Sequence, residues 1–432
     1  MNRRDFVKNG SLAMAPLMLG STMNVFAKKG KKVRLGFVGV GARGTDLLKV
    51  ALSIDYVEIT AVCDIIEDRV KRAQKMVKDS GRKTPAGYSR GEEDFRRMVV
   101  RDDLDGIIIA TSWEWHTPIS IASMNAGKYA GTEVPGTLKV SECWELVDAY
   151  EKTGVPCMLL ENYSYDRDRM AILNMVRKGV FGELTYCECA YQHDTRNVKF
   201  GPKGELLFRG EYALHHDGNN YPTHAIGPIA GYLDINRGNK FEYITSMSTK
   251  SRGLNKYLKE KFGEDNVNAN LPFKIGDVNT SHIKCHNGEV VTINYDTQSP
   301  RPSSGKYLVQ GTKGIWEYDR KAVFLEERAT GGVHKWEPFE KYREEFEHPF
   351  WQKDSKAAMK TGHGGGDYFV IREFVDAIRD KRQTPIDVYD CATWSAIVEL
   401  SQESVAKGSM PIEFPDFTRG KWKTNKPVFA LV

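Results

Sequence analysis

Residues 32–52 read KVRLGFVGVGARGTDLLKVAL, an apolar run followed by three closely spaced glycines. Apolar residues at positions 33, 35, 37 and 38 predict a buried β-strand, and a helix follows the glycines. Gly39, Gly41 and Gly44 allow a tight turn, close approach of the backbone to a pyrophosphate, and close contact between helix and strand. The helix N-terminus would then face the phosphates. The stretch predicts the start of a dinucleotide-binding domain.

The next strand carries the residue that chooses between dinucleotides. Residues 57–64, VEITAVCD, end at Asp64, at the distance from the glycine turn that the fingerprint requires. A carboxylate there binds a ribose 2′-hydroxyl and repels a 2′-phosphate. Asp64 therefore predicts NAD rather than NADP.

Strands and helices continue to alternate through the first half of the chain. Helical patterns lie at 69–81, 116–129 and 141–154, and strands at 103–111 and 155–162. This rhythm predicts an α/β fold that begins with a Rossmann domain, a doubly wound parallel sheet, over residues 33–160. Ligands should collect at the carboxyl ends of the strands, in the segments 111–116, 132–136 and 161–165.

The second half is dominated by strand-like runs and predicts a C-terminal α+β domain over residues 161–432. Strands are expected at 183–192, 242–250, 281–297, 306–319 and 322–328, with a tight hairpin turn at HNGE, residues 286–289. They predict an open, mostly antiparallel sheet whose free face makes a homo-oligomer plausible. Residues 251–270 and 328–360 are polar and aperiodic, and we expect surface loops there.

Composition excludes several classes of protein. The chain has 432 residues with 41% hydrophobic and 28% charged residues, which is ordinary for a globular protein. No stretch approaches the ~20 apolar residues of a membrane span, and a net charge of +5 gives no reason to expect nucleic acid as a partner. The seven cysteines include no C-x-x-C pair, so we expect no metal site.

The N-terminus carries a targeting signal. Arg3 and Arg4 precede a mildly apolar run that ends at Ala27, an acceptable cleavage position. Residues 1–27 are typical of a twin-arginine export signal, which predicts a periplasmic or secreted protein.

Residues 219–228, NNYPTHAIGP, carry the candidate catalytic pair. Asn219 or Asn220 can cap a helix with Pro222 in its first turn. Tyr221 and His224 would then share one face near a helix N-terminus, which disfavours imidazolium. A phenol beside a neutral imidazole can act on a hydroxyl. A capped helix with two half-buried aromatic residues is the alternative.

Several motifs carry a family resemblance. The chain resembles the Gfo/Idh/MocA oxidoreductases in four features. These are the glycine turn, the strand that ends at Asp64, the element Trp113–His116 and the tripeptide Glu133-Val134-Pro135. Most dehydrogenases of that family have lysine where this chain has Val134. The chain also resembles glycoside hydrolase family 109, whose founding activity is α-N-acetylgalactosaminidase. The motifs that carry this resemblance are EVP, YPTHAIGPIA, LVQGTKG, GHGGGDYF, DVYDCATWSAI and FPDFTRGKW.

The resemblance implies an exported glycosidase that keeps NAD bound and acts on terminal N-acetylgalactosamine or a related hexosamine. Its route is transient oxidation at C3, loss of the C2 proton, elimination of the aglycone, addition of water and re-reduction. The implied NAD contacts, beside the glycines, are Ala42, Arg43, Asp64, Trp113, His116, Glu133, Val134 and Asn162. The implied substrate contacts are Tyr191, Arg209, Tyr221, Pro222, Thr223, His224 and Ser303.

Within that implied site, roles are only partly assigned. We expect His224 to accept the proton of the C3 hydroxyl, and Tyr221 to position that hydroxyl or relay the proton. The base for the C2 proton stays open among Tyr191, Tyr163 and His193, and His363 could approach the site. Ser303 stands where the family usually has tyrosine, which leaves the sugar specificity open.

Two other functions compete with a glycosidase. A sugar dehydrogenase that releases NADH would need a proton acceptor in place of the missing lysine at Val134. A sugar-binding protein without turnover would not need the Tyr221 and His224 pair.

Overall fold

The computed structural model describes residues 32–431, so the predicted export signal lies outside the described residues. Its first sheet has six strands: β1 (Val33–Val38), β2 (Val57–Cys63), β3 (Ala86–Tyr88), β4 (Gly106–Ile109), β5 (Tyr129–Thr132) and β6 (Cys157–Leu159). The helices between them are α1 (Ala42–Leu52), α2 (Glu67–Asp79), α3 (Phe95–Val99), α4 (His116–Asn125) and α5 (Val140–Thr153), with short 3-10 turns at Glu92–Asp94 and Trp113–Trp115.

The six strands are all parallel and lie in the order β3-β2-β1-β4-β5-β6. The chain reverses direction across the sheet between β1 and β4, and a ligand is expected in the crevice outside the carboxyl ends there. The predicted doubly wound Rossmann sheet is confirmed.

The second sheet has nine strands: β7 (Leu184–Gln192), β8 (Phe241–Ser248), β9 (Asn279–Cys285), β10 (Val290–Asp296), β11 (Leu308–Gly311), β12 (Gly314–Glu317), β13 (Ala322–Leu325), β14 (Glu337–Pro338) and β15 (Ile412–Glu413). Their order is β14-β13-β12-β11-β7-β10-β9-β8-β15. Only β7 and β10 pair in parallel; the other neighbours are antiparallel. The predicted mostly antiparallel sheet is confirmed, and residues 286–289 form the turn between β9 and β10.

The helices of the second half are α6 (Arg167–Arg177), α7 (Phe208–His215), α8 (Thr223–Tyr232), α9 (Gly253–Phe262), α10 (Glu340–Arg343), α11 (Pro349–Ala358), α12 (Gly366–Asp380) and α13 (Val388–Ala406). Short 3-10 turns lie at Tyr163–Tyr165, Arg196–Val198, His363–Gly365 and Lys421–Lys423. In residues 32–431, no helix combines the length and apolarity that crossing a membrane requires.

The expectation of surface loops at 251–270 and 328–360 is wrong. Helix α9 lies in the first segment and buries Leu254 and Leu258. Helix α11 lies in the second and buries Trp351. Each helix is stabilised by a few apolar anchors that contact distant parts of the chain, which a scan for local periodicity does not detect.

Helix α12 returns from the second half to the first sheet. A Cβ atom added to Gly106 of β4 would lie 2.5 Å from Ile378, and one added to Gly131 of β5 would lie 3.1 Å from Phe374. These strand glycines let the helix pack closely on the sheet. The first turn of α12 thereby meets the chain just after β6, because a Cβ atom on Gly366 would lie 2.4 Å from the carbonyl oxygen of Asn162.

Candidate active site

The glycine turn after β1 has two crowded positions and one open position. Gly39 has φ +81°, and a Cβ atom on Gly44 would lie 1.9 Å from the Gly39 carbonyl oxygen. A Cβ atom on Gly41 would meet only the Arg69 guanidinium, at 3.6 Å. Gly39 and Gly44 are therefore required by the fold, whereas Gly41 keeps one side of the turn open beside the N-terminus of α1, where a pyrophosphate binds in this type of turn.

Asp64 follows β2 and lies against the same turn. Its Oδ2 accepts a hydrogen bond from the Val40 N–H (2.9 Å), and its Oδ1 accepts one from the Ile66 N–H (3.0 Å). A carboxylate has about four acceptor positions, so lone pairs remain for a ribose hydroxyl. The turn and Asp64 together fit NAD.

Arg43, in the first turn of α1, links three segments. Its Nε donates to Glu133 (2.7 Å), and its two terminal nitrogens donate to the two oxygens of Asp367 (2.9 Å each). Asn162 also donates to Asp367, at 2.7 Å. Burial by itself would lower the pKa of Arg43, but Glu133 and Asp367 outweigh it and raise that pKa. Arg43 is thus a permanent cation that holds the turn against the end of β5 and the first turn of α12.

Two predicted NAD contacts, Arg43 and Asn162, therefore meet at a residue that sequence reasoning missed, Asp367, and Arg43 connects a third, Glu133, to them. Burial alone would raise the pKa of Asp367, but its hydrogen bonds to His363 and Arg43 lower it, so the carboxylate is ionised. The buried Oδ1 of Asn162 has no hydrogen-bond partner among the described residues. A buried acceptor without a partner costs free energy, and a bound cofactor amide or hydroxyl would satisfy it.

His116 and Val134 belong to the packing around the site. The ring nitrogens of His116 face the carbonyl oxygens of Pro135 (2.7 Å) and Thr111 (3.2 Å), and burial lowers its pKa. Since both nitrogens face backbone carbonyl groups, His116 is placed to hold the 132–136 segment at the carboxyl end of β5. Val134 is buried within that segment.

Trp113 joins the two halves of the site. Its ring stacks on Tyr221 with the centroids 5.5 Å apart, and the Arg209 guanidinium lies 5.2 Å from the Trp113 ring and 5.1 Å from the Tyr221 ring. Tyr191 is 5.0 Å from Tyr221 between ring centroids. These four residues, predicted to bind NAD or substrate, form one aromatic and cationic cluster.

Tyr221 and His224 lie together, but the helix begins differently from the prediction. Helix α8 starts at Thr223, its N-cap is Pro222, and no side chain caps it. The prediction of an asparagine cap is wrong: Asn219 accepts from the Tyr221 N–H, and Asn220 accepts from Gln402. Tyr221 precedes the helix, and its ring still contacts the His224 ring edge-on at 5.2 Å.

A buried carboxylate orients His224. The ring Nδ1 lies 2.8 Å and 3.0 Å from the two oxygens of Glu161, which is fully buried and also accepts from the Tyr163 N–H (2.7 Å). A carboxylate can only accept, so Nδ1 carries a proton and Nε2, which no described residue contacts by hydrogen bond, is left for a ligand. In the sequence, only the predicted helix terminus indicated a role for His224. The available signal for Glu161 was its place at the carboxyl end of β6.

A cavity of about 350 Å³ lies next to Tyr163 and Tyr191, whose rings contact His224; His224 itself does not line it. Tyr163, Tyr191, Ser303 and His363 line it, and the Tyr163 ring stacks on His224 with the centroids 4.2 Å apart. Its volume lies within the range of small-molecule sites. The buried Thr223 hydroxyl has no partner among the described residues, and Pro222 is buried. His193 is exposed and does not line the cavity.

The part of the chain that the structure describes contains no cluster of side chains suited to bind a metal ion. No group of three or more His, Cys, Asp or Glu side chains there could hold an ion. The seven cysteines are buried free thiols, and Cys187 and Cys189 pack in the core.

Comparison with known proteins identifies the family. Residues 33–161 match the family described as "Oxidoreductase family, NAD-binding Rossmann fold", and residues 165–424 match "Glycosyl hydrolase 109, C-terminal domain". The chain belongs to glycosyl hydrolase family 109. Family 109 membership makes it a glycoside hydrolase with an NAD-binding Rossmann domain, which confirms the resemblance inferred from its motifs.

Two relatives of this family 109 chain support the assignment along its length. A glycosyl hydrolase family 109 protein of Stenotrophomonas maltophilia is 42% identical, covering 100% of this chain and 98% of the relative. An alpha-N-acetylgalactosaminidase of Tannerella forsythia is 41% identical, covering 92% and 89%. A solved levoglucosan dehydrogenase in complex with NADH and L-sorbose has a TM-score of 0.66 at 18% identity, covering 90% of this chain and 100% of that one. At that identity the likeness concerns the fold.

Proposed function

We propose that this family 109 hydrolase releases terminal N-acetylgalactosamine, or a related hexosamine, from glycosides with NAD held in the Rossmann domain. The name of the Tannerella forsythia relative supports the sugar. The observation that carries the proposal is the orientation of His224 by Glu161, in contact with Tyr163 and Tyr191, which line the cavity.

The NAD would be held by the glycine turn (Gly39, Gly41 and Gly44) and by Asp64. The unpaired Oδ1 of Asn162 would accept a hydrogen bond from it. When bound, NAD would take a hydride from C3 of the sugar and return it at the end of the cycle. The proton transfers are carried out by side chains of the protein.

His224 accepts the proton of the sugar hydroxyl at Nε2. Its Nδ1 is committed to Glu161, so Nε2 is the ring nitrogen that is left to accept a proton from a ligand. Tyr221, at 5.2 Å between ring centroids, positions that hydroxyl. A base within hydrogen-bond reach contributes about 10²–10⁴-fold to proton transfer.

Two of the three candidates for removing the C2 proton line the cavity, Tyr163 and Tyr191. One face of the Tyr163 ring is covered by His224, which leaves Tyr191 the better placed. Burial raises the pKa of Tyr191, and the positive charge of Arg209 opposes that rise.

Ser303 is exposed at the cavity, and the small side chain leaves room there that an aromatic residue would fill. We propose that this room admits a substituted hexosamine. Export through the twin-arginine route and a homo-oligomer built on the open sheet face are further proposals, supported by Arg3 and Arg4 and by the nine-stranded sheet.

The test is release of an aryl group from 4-nitrophenyl N-acetylgalactosaminides of both anomers by the NAD-containing protein. We expect turnover without accumulation of NADH, and its loss in His224→Ala. His215→Ala on the surface of α7 is the matched control, since the His215 side chain is 57% exposed. Intact glycoside with accumulating NADH would make the protein a dehydrogenase, and binding without turnover would make it a sugar-binding protein.

A further inference from the structure

A buried arginine borders the cavity without a carboxylate partner. Arg169, in α6, is 6% exposed and lines the cavity together with Tyr163 and Ser303. A guanidinium has five N–H groups. Within residues 32–431, Nη1 donates to the Tyr163 carbonyl oxygen at 3.1 Å, the buried Nε has no hydrogen-bond partner, and no carboxylate forms an ion pair with the group. Arg169 therefore has N–H groups to spare at the edge of the cavity.

Other arginines in the interior do have carboxylate partners. Arg237 pairs with Asp390 at 2.6 Å, and Arg372 pairs with Asp354; the side chains of these two arginines are 10% and 12% exposed. A buried charge without a partner costs free energy, because water can no longer solvate it. The exception at Arg169 indicates that its partner is a ligand.

Three tyrosine rings hold the Arg169 guanidinium in place. Its central carbon lies 4.3 Å from the centroid of the Tyr307 ring, 4.8 Å from that of Tyr318 and 5.0 Å from that of Tyr163. Such cation–π contacts stabilise the charge over the ring faces, but they do not supply oxygen acceptors for the N–H groups in the guanidinium plane. The group is thus fixed in position while most of its donors are unused.

Two carboxylates line the same cavity, and each is engaged elsewhere. Asp166 is the N-cap of α6: its Oδ1 accepts from the Arg169 backbone N–H at 3.2 Å, which places its charge at the positive end of that helix. Asp319 is exposed and accepts from the Ser304 hydroxyl and the Lys306 N–H. Since neither forms an ion pair with the guanidinium, the charge of Arg169 is available to an anion.

One aromatic ring separates Arg169 from His224. The Tyr163 ring stacks on His224 with the centroids 4.2 Å apart, and the Arg169 guanidinium lies 5.0 Å from the centroid of the same ring. A hexosamine that presents a hydroxyl to His224 would therefore reach Arg169 with a substituent of its own ring. Ser303 lines the cavity with a small side chain and leaves room for that substituent.

We propose that Arg169 binds an anionic substituent, a sulfate ester or a carboxylate, on the terminal hexosamine, and so directs the enzyme to acidic derivatives of N-acetylgalactosamine. The planar guanidinium presents N–H groups in pairs, which match two oxygens of such an anion. This inference rests on the proposed glycosidase function and names its substrate class. Arg169 acts in binding and specificity, and it takes part in no proton transfer.

The test is calorimetric binding of four sugars to the NAD-containing protein: N-acetylgalactosamine, its 4-sulfate, its 6-sulfate, and N-acetylgalactosaminuronic acid. We expect at least one acidic sugar to bind about 10–100-fold more tightly than the neutral one, and the sugar that does so distinguishes a sulfate from a carboxylate. In Arg169→Met the Kd values of acidic and neutral sugars should lie within about threefold of each other. Arg379→Met is the matched control and should keep the wild-type preference, because the Arg379 guanidinium lies 4.7 Å from the Tyr56 ring centroid, outside the cavity lining.

A second variant covers failure of Arg169→Met to fold. Arg169→Lys keeps the positive charge among the tyrosine rings but lacks the planar fork, so the preference for the acidic sugar should fall at least about threefold. Equal binding of acidic and neutral sugars by the wild-type protein, or an unchanged preference in the Arg169 variants, would overturn the role of Arg169. Failure of the wild-type protein to cleave 4-nitrophenyl N-acetylgalactosaminides, with or without a sulfate, would refute the proposed function instead.

Discussion

Glu161→Gln should disable the enzyme while leaving its fold intact. Glu161 is fully buried and binds His224 Nδ1 at 2.8 Å, so water cannot replace the carboxylate. A glutamine of the same size can turn its amide N–H toward Nδ1. The imidazole proton would then move to Nε2, and the acceptor that faces the substrate would be lost.

The expected size follows from what the base supplies. Removal of a general base costs about 10²–10⁴ in rate, which is about 2.7–5.4 kcal/mol of activation free energy at about 1.36 kcal/mol per tenfold. Since glutamine preserves volume and can still donate or accept hydrogen bonds, we expect Tm to change by only a few degrees.

The assay is kcat on 4-nitrophenyl N-acetylgalactosaminide, measured together with NAD content and Tm. Glu242→Gln is the matched control, because Glu242 pairs with His286 on the second sheet, outside the cavity lining. A kcat within about threefold of wild type in Glu161→Gln, with NAD retained, would refute the role assigned to the Glu161–His224 pair.

Three further changes test the remaining parts of the account. Gly44→Ala would place a Cβ atom 1.9 Å from the Gly39 carbonyl oxygen and should destabilise the protein by at least about 3 kcal/mol. Gly41→Ala should leave the Tm of the NAD-free protein unchanged and lower its NAD content. Equal losses of Tm in the two variants would contradict this difference. Arg43→Met leaves two buried carboxylates without their cation and should cost about 3–5 kcal/mol in the free energy of unfolding; a loss under about 1 kcal/mol would count against the network. Burial, with Arg209 nearby, lowers the pKa of Lys199 to about 7, so the folded protein binds fewer protons than the unfolded chain above that pH. The stability of wild type relative to Lys199→Met should therefore rise from pH 7 toward pH 10, by up to about 1.4 kcal/mol per pH unit, and a flat difference in urea unfolding would contradict that pKa.

The Rossmann half was predictable because its determinants are local. The glycines at 39, 41 and 44 and the carboxylate at 64 act through backbone geometry within one β-α-β unit. The strands are apolar runs bounded by turns, and each end marks one edge of the sheet.

The partners of the site residues were not predictable in the same way. His224 meets Glu161 across 63 positions of sequence, and Arg43 meets Asp367 across 324. Helix α12 brings Asp367 to the first sheet by packing on two strand glycines, and local periodicity does not reveal such long-range packing. The motifs singled out Arg43 and His224, and only the fold supplies their carboxylates.

Proton NMR in deuterium oxide would show whether hydrolysis passes through a sugar oxidised at C3. The NAD-containing protein would be incubated with aryl N-acetylgalactosaminides of both anomers. We expect release of the aryl group from one anomer, deuterium at C2 of the product sugar, and no net NADH. Release of the aryl group with hydrogen retained at C2 would contradict the elimination route.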